Sequence, residues 1–209
     1  SNNTAVGRNA LTANTTGTQN VAIGAESAEA TTTGNYNVSV GYRSLEATTT
    51  GSQNVAIGRS ALESNTTASN NVAVGFAALE ANTTATSNTG LGYRALAVNT
   101  TGASNVAVGA DALTDNTTGA SNTAVGKSTL EVNTTGLRNT ATGMNALDSN
   151  TTGSYNTSVG YVSLGGLTTG SYNCALGDQA LLSNSSGGEN IGIGYNAGTG
   201  ATGSSNIFI

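Results

Sequence analysis

The 209-residue chain predicts an all-β fold, a parallel β-solenoid (β-roll) of about twelve 17-residue coils. Three observations carry this expectation. The motif Asn54-Val55-Ala56-Ile57-Gly58 recurs with small edits, its spacing is constant, and apolar residues return at fixed places in a composition otherwise dominated by Asn, Thr, Ser, Ala and Gly. The leading asparagines are Asn3, Asn20, Asn37, Asn54, Asn71, Asn88, Asn105, Asn122, Asn139, Asn156, Asn173 and Asn190, with Asn206 opening a truncated copy. They stand 17 residues apart until the last step, Asn190 to Asn206, which is 16. A period this strict makes each copy one unit stacked on the next, so residues 1–209 form a single repeat domain.

We number the slots of a copy 1 to 17 from its asparagine, so that the fourth copy runs from Asn54 to Asn70. Slot 4 is aliphatic in every full copy except at Thr142, and slot 2 is Val, Ile or Thr, with Cys174 the exception. Two mostly β-branched slots separated by one residue describe a short strand, and slots 2 and 4 are expected to point into the coil. Slot 9 is Leu in ten of twelve copies and supplies an opposing inward face. A second strand over slots 9 to 11 is the preferred reading there, although a single helical turn over slots 6 to 9 fits the same short pattern.

The corner reads Asn-Thr-Thr-Gly at Asn14–Gly17, Asn99–Gly102, Asn116–Gly119 and Asn150–Gly153. Asn and Gly tolerate turn geometry, and a buried Asn side chain can bond the backbone of the neighbouring coil. Asn14, Asn65, Asn82, Asn99, Asn116, Asn133 and Asn150 are therefore expected to stack as a turn ladder at about 4.8 Å, and the slot 1 asparagines likewise. About twelve rungs make a rod roughly 55 to 60 Å long.

Slot 3 lies on the strand between the two expected inward slots, so it should face outward. Its occupants are nevertheless small: Ala5, Ala22, Ser39, Ala56, Ala73, Gly90, Ala107, Ala124, Ala141, Ser158, Ala175 and Gly192, followed by Phe208 in the truncated copy. Slot 5 beside it is Gly in all twelve copies. A face of small residues lets another backbone approach closely, so these twelve positions are expected to form a subunit interface. A tight bend after the strand would account for the glycines alone.

Composition excludes several functions. Six basic residues, a net charge of -5 and no basic patch argue against nucleic-acid binding. No run of 18 apolar residues and no signal-peptide pattern are present, so membrane insertion is not expected. No initiator Met opens the chain and copies run up to both ends, which suggests a piece of something longer. The single Cys174 reads as a small core residue, and the absence of His removes the commonest general base and metal ligand. No cofactor and no metal are expected, and the uniform coils offer none of the local irregularity that marks a catalytic site.

Three features carry candidate chemistry. Glu29, Glu46, Glu63 and Glu80 share slot 10, with Glu131 and Asp148 in later copies, and form either a solvated acidic edge or a weak calcium site. Exposed aromatics in slots 6 and 17 would bring Tyr155, Tyr161 and Tyr172 together as a candidate ligand site. The repeated Thr-Thr raises ice binding, but adjacent threonines in an extended segment point to opposite sides, so a flat two-column Thr face does not follow.

The runs N-V-A-I-G and N-V-A-V-G followed by x-x-A-L resemble the head repeats of trimeric autotransporter adhesins. The longer unit N-T-A-V-G-x-x-A-L-x-x-N-T-T-G resembles repeat arrays of bacteriophage tail fibres. The resemblance spans nearly the whole chain and implies a parallel β-roll, a homotrimer, an extracellular place on a cell surface or virion, and attachment to a host-surface glycan or protein receptor. The expected function is thus a structural and adhesive fibre segment that is not an enzyme. An ice-binding solenoid and a passive spacer are the alternatives.

Overall fold

The chain is a parallel β-solenoid. A computed structural model describes residues 2–209, and among them thirteen strands, from β1 (Thr4–Val6) to β13 (Ile207–Phe208), form one sheet in strict sequence order. Every neighbouring pair is parallel and in register at the repeat, so Val55 lies beside Val72, Ala56 beside Ala73 and Ile57 beside Val74. Each strand has three residues except β13, which has two. No helix among the described residues is long and apolar enough to cross a membrane.

The fourth copy shows how one coil is made. The Val55 N–H donates upward to the Asn71 carbonyl (2.9 Å), while the Gly58 N–H donates downward to the Val40 carbonyl (2.8 Å). Gly58 then turns the chain at φ 134°, a region open in practice only to glycine. A Cβ placed there would lie 2.4 Å from the Gly75 carbonyl oxygen of the next coil. The slot 5 glycines are thus fixed by the bend and by the approach of successive coils, which is the simpler of the two explanations the sequence allowed.

The expected second strand is absent from slots 9 to 11. Slots 6 to 11 are consecutive turns, and slots 7 and 9 adopt left-handed backbone conformations, as at Ser60 (φ 58°) and Leu62 (φ 52°). For Leu this conformation costs roughly 1–2 kcal/mol. Two gains offset it. Leu62 is fully buried, which stabilises by roughly 1.5–3 kcal/mol, and its N–H donates to the Ala78 carbonyl of the next coil at 3.0 Å. This wall remains hydrogen-bonded along the rod without being a strand: slot 7 donates to the coil below, as Ser60 to Tyr42, and slot 11 to the coil above, as Ser64 to Glu80.

The strand faces the opposite way from expectation. Ala22, Ala56, Ala73, Ala107, Ala124, Ala141 and Ala175 are completely buried, as are Ser39 and Ser158, and Gly90 and Gly192 are buried with them. Ala5 shares their side of the sheet but is exposed at the end of the stack. These twelve slot 3 residues therefore line the coil's own interior, and the subunit interface assigned to them is corrected. The reason is room. A Cβ on Gly90 would meet the Leu79 side chain at 3.4 Å and the Ala95 carbonyl oxygen at 3.1 Å. The sheet and the turn wall approach so closely that one Leu per coil fills the space, leaving slots 3 and 8 only small residues. Slots 2 and 4 are pushed outward, with Ile23 and Ile57 each 40% exposed. Cys174, in slot 2, is correspondingly half-buried on the outer face instead of in the core.

The turn ladder is present. Each slot 1 Asn accepts the N–H of the next slot 1 residue, as Asn71 to Asn54 Oδ1 (3.0 Å), and donates Nδ2 to the slot 15 carbonyl of its own coil, as Asn54 to Ala68 (2.9 Å). Asn65, Asn82, Asn99, Asn116, Asn133 and Asn150 are buried and donate to the same slot 15 carbonyl and to the Asn or Thr below, as Asn116 to Gly119 (2.9 Å) and to Asn99 (2.8 Å). Asn14, at the edge of the stack, leaves its Nδ2 unpartnered. Two further gaps follow from substitutions in the column. Leu167 above Asn150 offers no donor and leaves Asn150 Oδ1 unpartnered, and Thr31 cannot reach a partner with its buried hydroxyl. Thr31→Asn restores the ladder donor to the Gly34 carbonyl and is expected to stabilise the chain by about 1 kcal/mol. A thermal melt that fails to rise would contradict this repair.

Candidate functional site

The cross-section sorts its side chains by chemistry. All 17 charged residues (six basic, eleven acidic) fall in slots 6, 7, 10, 11 and 17. That leaves two faces without charge: the outward strand face of slots 2 and 4, and the corner face of slots 13 to 16.

The charged side carries an ion-pair network near the first coils. Arg43 Nε lies 2.5 Å from Glu46, its Nη1 lies 2.9 Å from Glu63, and Glu26, which Arg8 also pairs, is 3.8 Å away. The hydrogen bond to Glu46 raises the Arg43 guanidinium above its ordinary value. Glu29, Arg43, Glu46 and Glu63 line an open depression of about 550 Å³. Carboxylate oxygens of Glu26, Glu29 and Glu46 approach within 4.8 Å of one another, close enough to share a cation. Arg43 supplies positive charge to two of these three carboxylates.

Farther along, among the described residues, no ion pair reaches Glu80, Glu131 or Asp148 of the same slot 10 column. Burial raises the Asp148 carboxyl above the ordinary carboxylate range and repulsion from Glu131 adds to the shift, while hydrogen bonding from Ser149 opposes it. The folded chain therefore holds the Asp148 proton more tightly than the unfolded chain. Stability from this group falls as pH rises from the ordinary carboxylate value, about 3.9, through the raised one, and the penalty is fully present at neutral pH. Asp148→Asn is expected to raise the melting temperature at pH 7 and leave it unchanged at pH 3. Equal shifts at both pH values would show that packing, not charge, is responsible.

The aromatic residues form two columns, one on each edge of the strand face. In slot 17, Tyr155 and Tyr172 stack at 4.9 Å with planes 7° apart, and Arg138 covers Tyr155 at 5.4 Å while donating to its hydroxyl at 2.9 Å. In slot 6, Arg59 sits between Tyr42 and Phe76 at 5.9 and 5.7 Å, and Phe76 stacks on Tyr93 at 5.5 Å. Tyr161 belongs to this second edge, with the strand Thr157–Val159 between it and Tyr155. The candidate site of Tyr155, Tyr161 and Tyr172 is therefore corrected to a Tyr155–Tyr172 pair, with Tyr161 apart. Arg138 and Tyr172 cover the two ring faces of Tyr155, whereas Tyr172 is stacked on one face only and stays 61% exposed.

On the corner face, slot 14 is exposed in every coil, Thr from Thr16 to Thr169 and then Ser186. The slot 13 threonines turn their hydroxyls along the rod, each donating to the next coil, as Thr117 to the Thr134 carbonyl at 3.0 Å. Slot 13 is thus committed to the backbone, and the outward Thr face is a single column.

No protein-family model matches the chain, and no curated protein or solved structure matches it. What remains distinctive is the outward strand face. Sequence reasoning missed it by reversing the strand, although one signal pointed to it. Where slot 3 is Ser, slot 8 of the same copy is Ser too, and the pairs bond across the core: Ser39 Oγ lies 2.6 Å from Ser44 Oγ, and Ser158 donates to the Ser163 carbonyl at 2.7 Å.

Proposed function

We propose that the chain is a structural and adhesive segment of an extracellular fibre, a rigid rod that extends outward and presents a surface-binding face, working as a homotrimer. The observation that supports it most directly is the uninterrupted stack of in-register coils, joined at every step by backbone and Asn side-chain bonds. Such a stack transmits its geometry over its full length, roughly 58 Å at the usual strand spacing. It leaves few unpaired backbone groups for a protease to extend into strand pairing. The exposed Tyr36, Tyr172 and Tyr195 are the side chains best suited to grip a protein or glycan on a host surface.

The test is threefold: the mass of the particle in solution, its dimensions by electron microscopy, and its survival in protease. A rod of about three chain masses that resists digestion supports the proposal. A compact or easily digested particle removes it. The exposed slot 14 threonines support ice binding as the second reading. Thermal hysteresis that is abolished by Thr101→Tyr would favour that reading over the fibre.

A further inference from the structure

We infer that the surface through which copies of this chain associate is the outward strand face, packed in parallel and in register so that each rung meets the same rung of its neighbour. This inference rests on the self-association proposed above and names where it occurs. The face consists of the slot 2 and slot 4 columns, free of charge along the whole rod. Its side chains include Val6, Ile23, Ile57, Leu91, Leu176 and Ile193, each between 36% and 58% exposed.

Size decides that such a face is covered. Two columns about 7 Å apart, with side-chain width on either side, make a strip roughly 12 Å wide, and twelve strand intervals make it roughly 58 Å long. The strip covers about 700 Å² of contiguous uncharged surface per copy, Val, Ile and Leu interrupted by Thr, which is close to the roughly 800 Å² each partner contributes to a standard interface. A second copy supplies a partner of matching length and pitch.

The order of residues along the face selects the orientation. Thr123, Thr140, Thr142 and Thr157 cluster in three consecutive rungs, whereas Val38, Val55, Val72 and Val74 hold the rungs toward the other end. In a parallel, in-register assembly threonine meets threonine, and the hydroxyls can bond one another as they are desolvated. Antiparallel packing would place Thr140 and Thr142 against Val72 and Val74, burying hydroxyls without partners, which is unfavourable. Cys174 stands in slot 2 on this face. Parallel packing brings the Cys174 residues of neighbouring copies onto one rung. Antiparallel packing sets them eight rungs apart, roughly 38 Å.

The experiment uses the full chain and two readouts. Sedimentation of the parent chain is compared with that of a Val106→Lys, Val108→Lys double variant, whose charges sit mid-face, and of Thr118→Lys on the corner face. In parallel, the parent is treated with a short bis-maleimide. The expected result is a multi-chain parent, a single-chain double variant with unchanged circular dichroism, a multi-chain Thr118→Lys variant, and cross-linking through Cys174 to covalent dimers. A double variant that stays multi-chain overturns the face and leaves the homotrimer standing. A multi-chain parent without cross-linked dimers overturns the parallel register. A parent of one chain mass overturns the self-association itself. If the double variant unfolds, Thr89→Lys at the same face replaces it and is judged by the same criterion.

Discussion

Replacing Gly92 by Ala is expected to break the rod near its middle. Gly92 has φ 142°, and a Cβ there would lie 2.4 Å from the Gly109 carbonyl oxygen and 2.6 Å from its carbon. Neither side can yield, because Gly109 is itself held against Gly126 in the same way. The disfavoured backbone costs about 1–3 kcal/mol and overpacking against a fixed backbone adds about 1–3 kcal/mol more. Chemical denaturation followed by circular dichroism reads the loss. Because each coil touches only its neighbours, the variant should also lose cooperativity and melt as two blocks. Gly200→Ala is the control, since a Cβ there meets nothing within 4 Å. A Gly92→Ala midpoint equal to that of the control would mean that the coils are not packed as described.

Asn105→Ala is the second large effect. The side chain accepts the Asn122 N–H at 2.9 Å and donates to the Gly119 carbonyl at 2.9 Å, all of it buried. Truncation leaves the Asn122 N–H without a partner, while Gly119 keeps its bond from Asn116. One orphaned buried donor and two lost bonds amount to about 3 kcal/mol. Asn116→Thr should cost much less, because Thr48 occupies the equivalent slot with its hydroxyl accepting from Asn65, and the carbonyl that Asn116 serves retains Asn105. Matching losses for the two variants would show that the columns share one role, contrary to their different bonds.

How far the sequence carried depends on which physical signal each feature left. The coil boundaries were legible because Asn and Gly are demanded by hydrogen bonding and backbone geometry, which tolerate few substitutes. The turn ladder followed for the same reason. The sign of the strand was not legible from alternation, since a period of two says that Val55 and Ile57 share a face and not which face it is. Hydrophobicity then misled, because this interior is too thin for Val or Ile opposite Leu62 and takes Ala56 instead. The turn wall was missed because Leu in a left-handed conformation has no local signature; only stacking on the next coil makes it acceptable. Slots 17 and 6 of successive copies place Tyr155 and Tyr161 only six residues apart, but the strand Thr157–Val159 between them carries Tyr161 to the far edge.

The orientation of the bonds between coils bears on what happens when the ends are pulled apart. The N–H and carbonyl groups that join one coil to the next point along the long axis, as do the Asn-to-Asn bonds. Tension along that axis therefore loads them a coil at a time, from whichever end yields first, instead of shearing many rows together. Each release frees 17 residues, roughly 55–60 Å of extended chain, more than ten times the height the coil occupied. Under load the rod would act as a ratcheting tether that lengthens in equal steps and absorbs work at each one, while the coils not yet reached keep their shape.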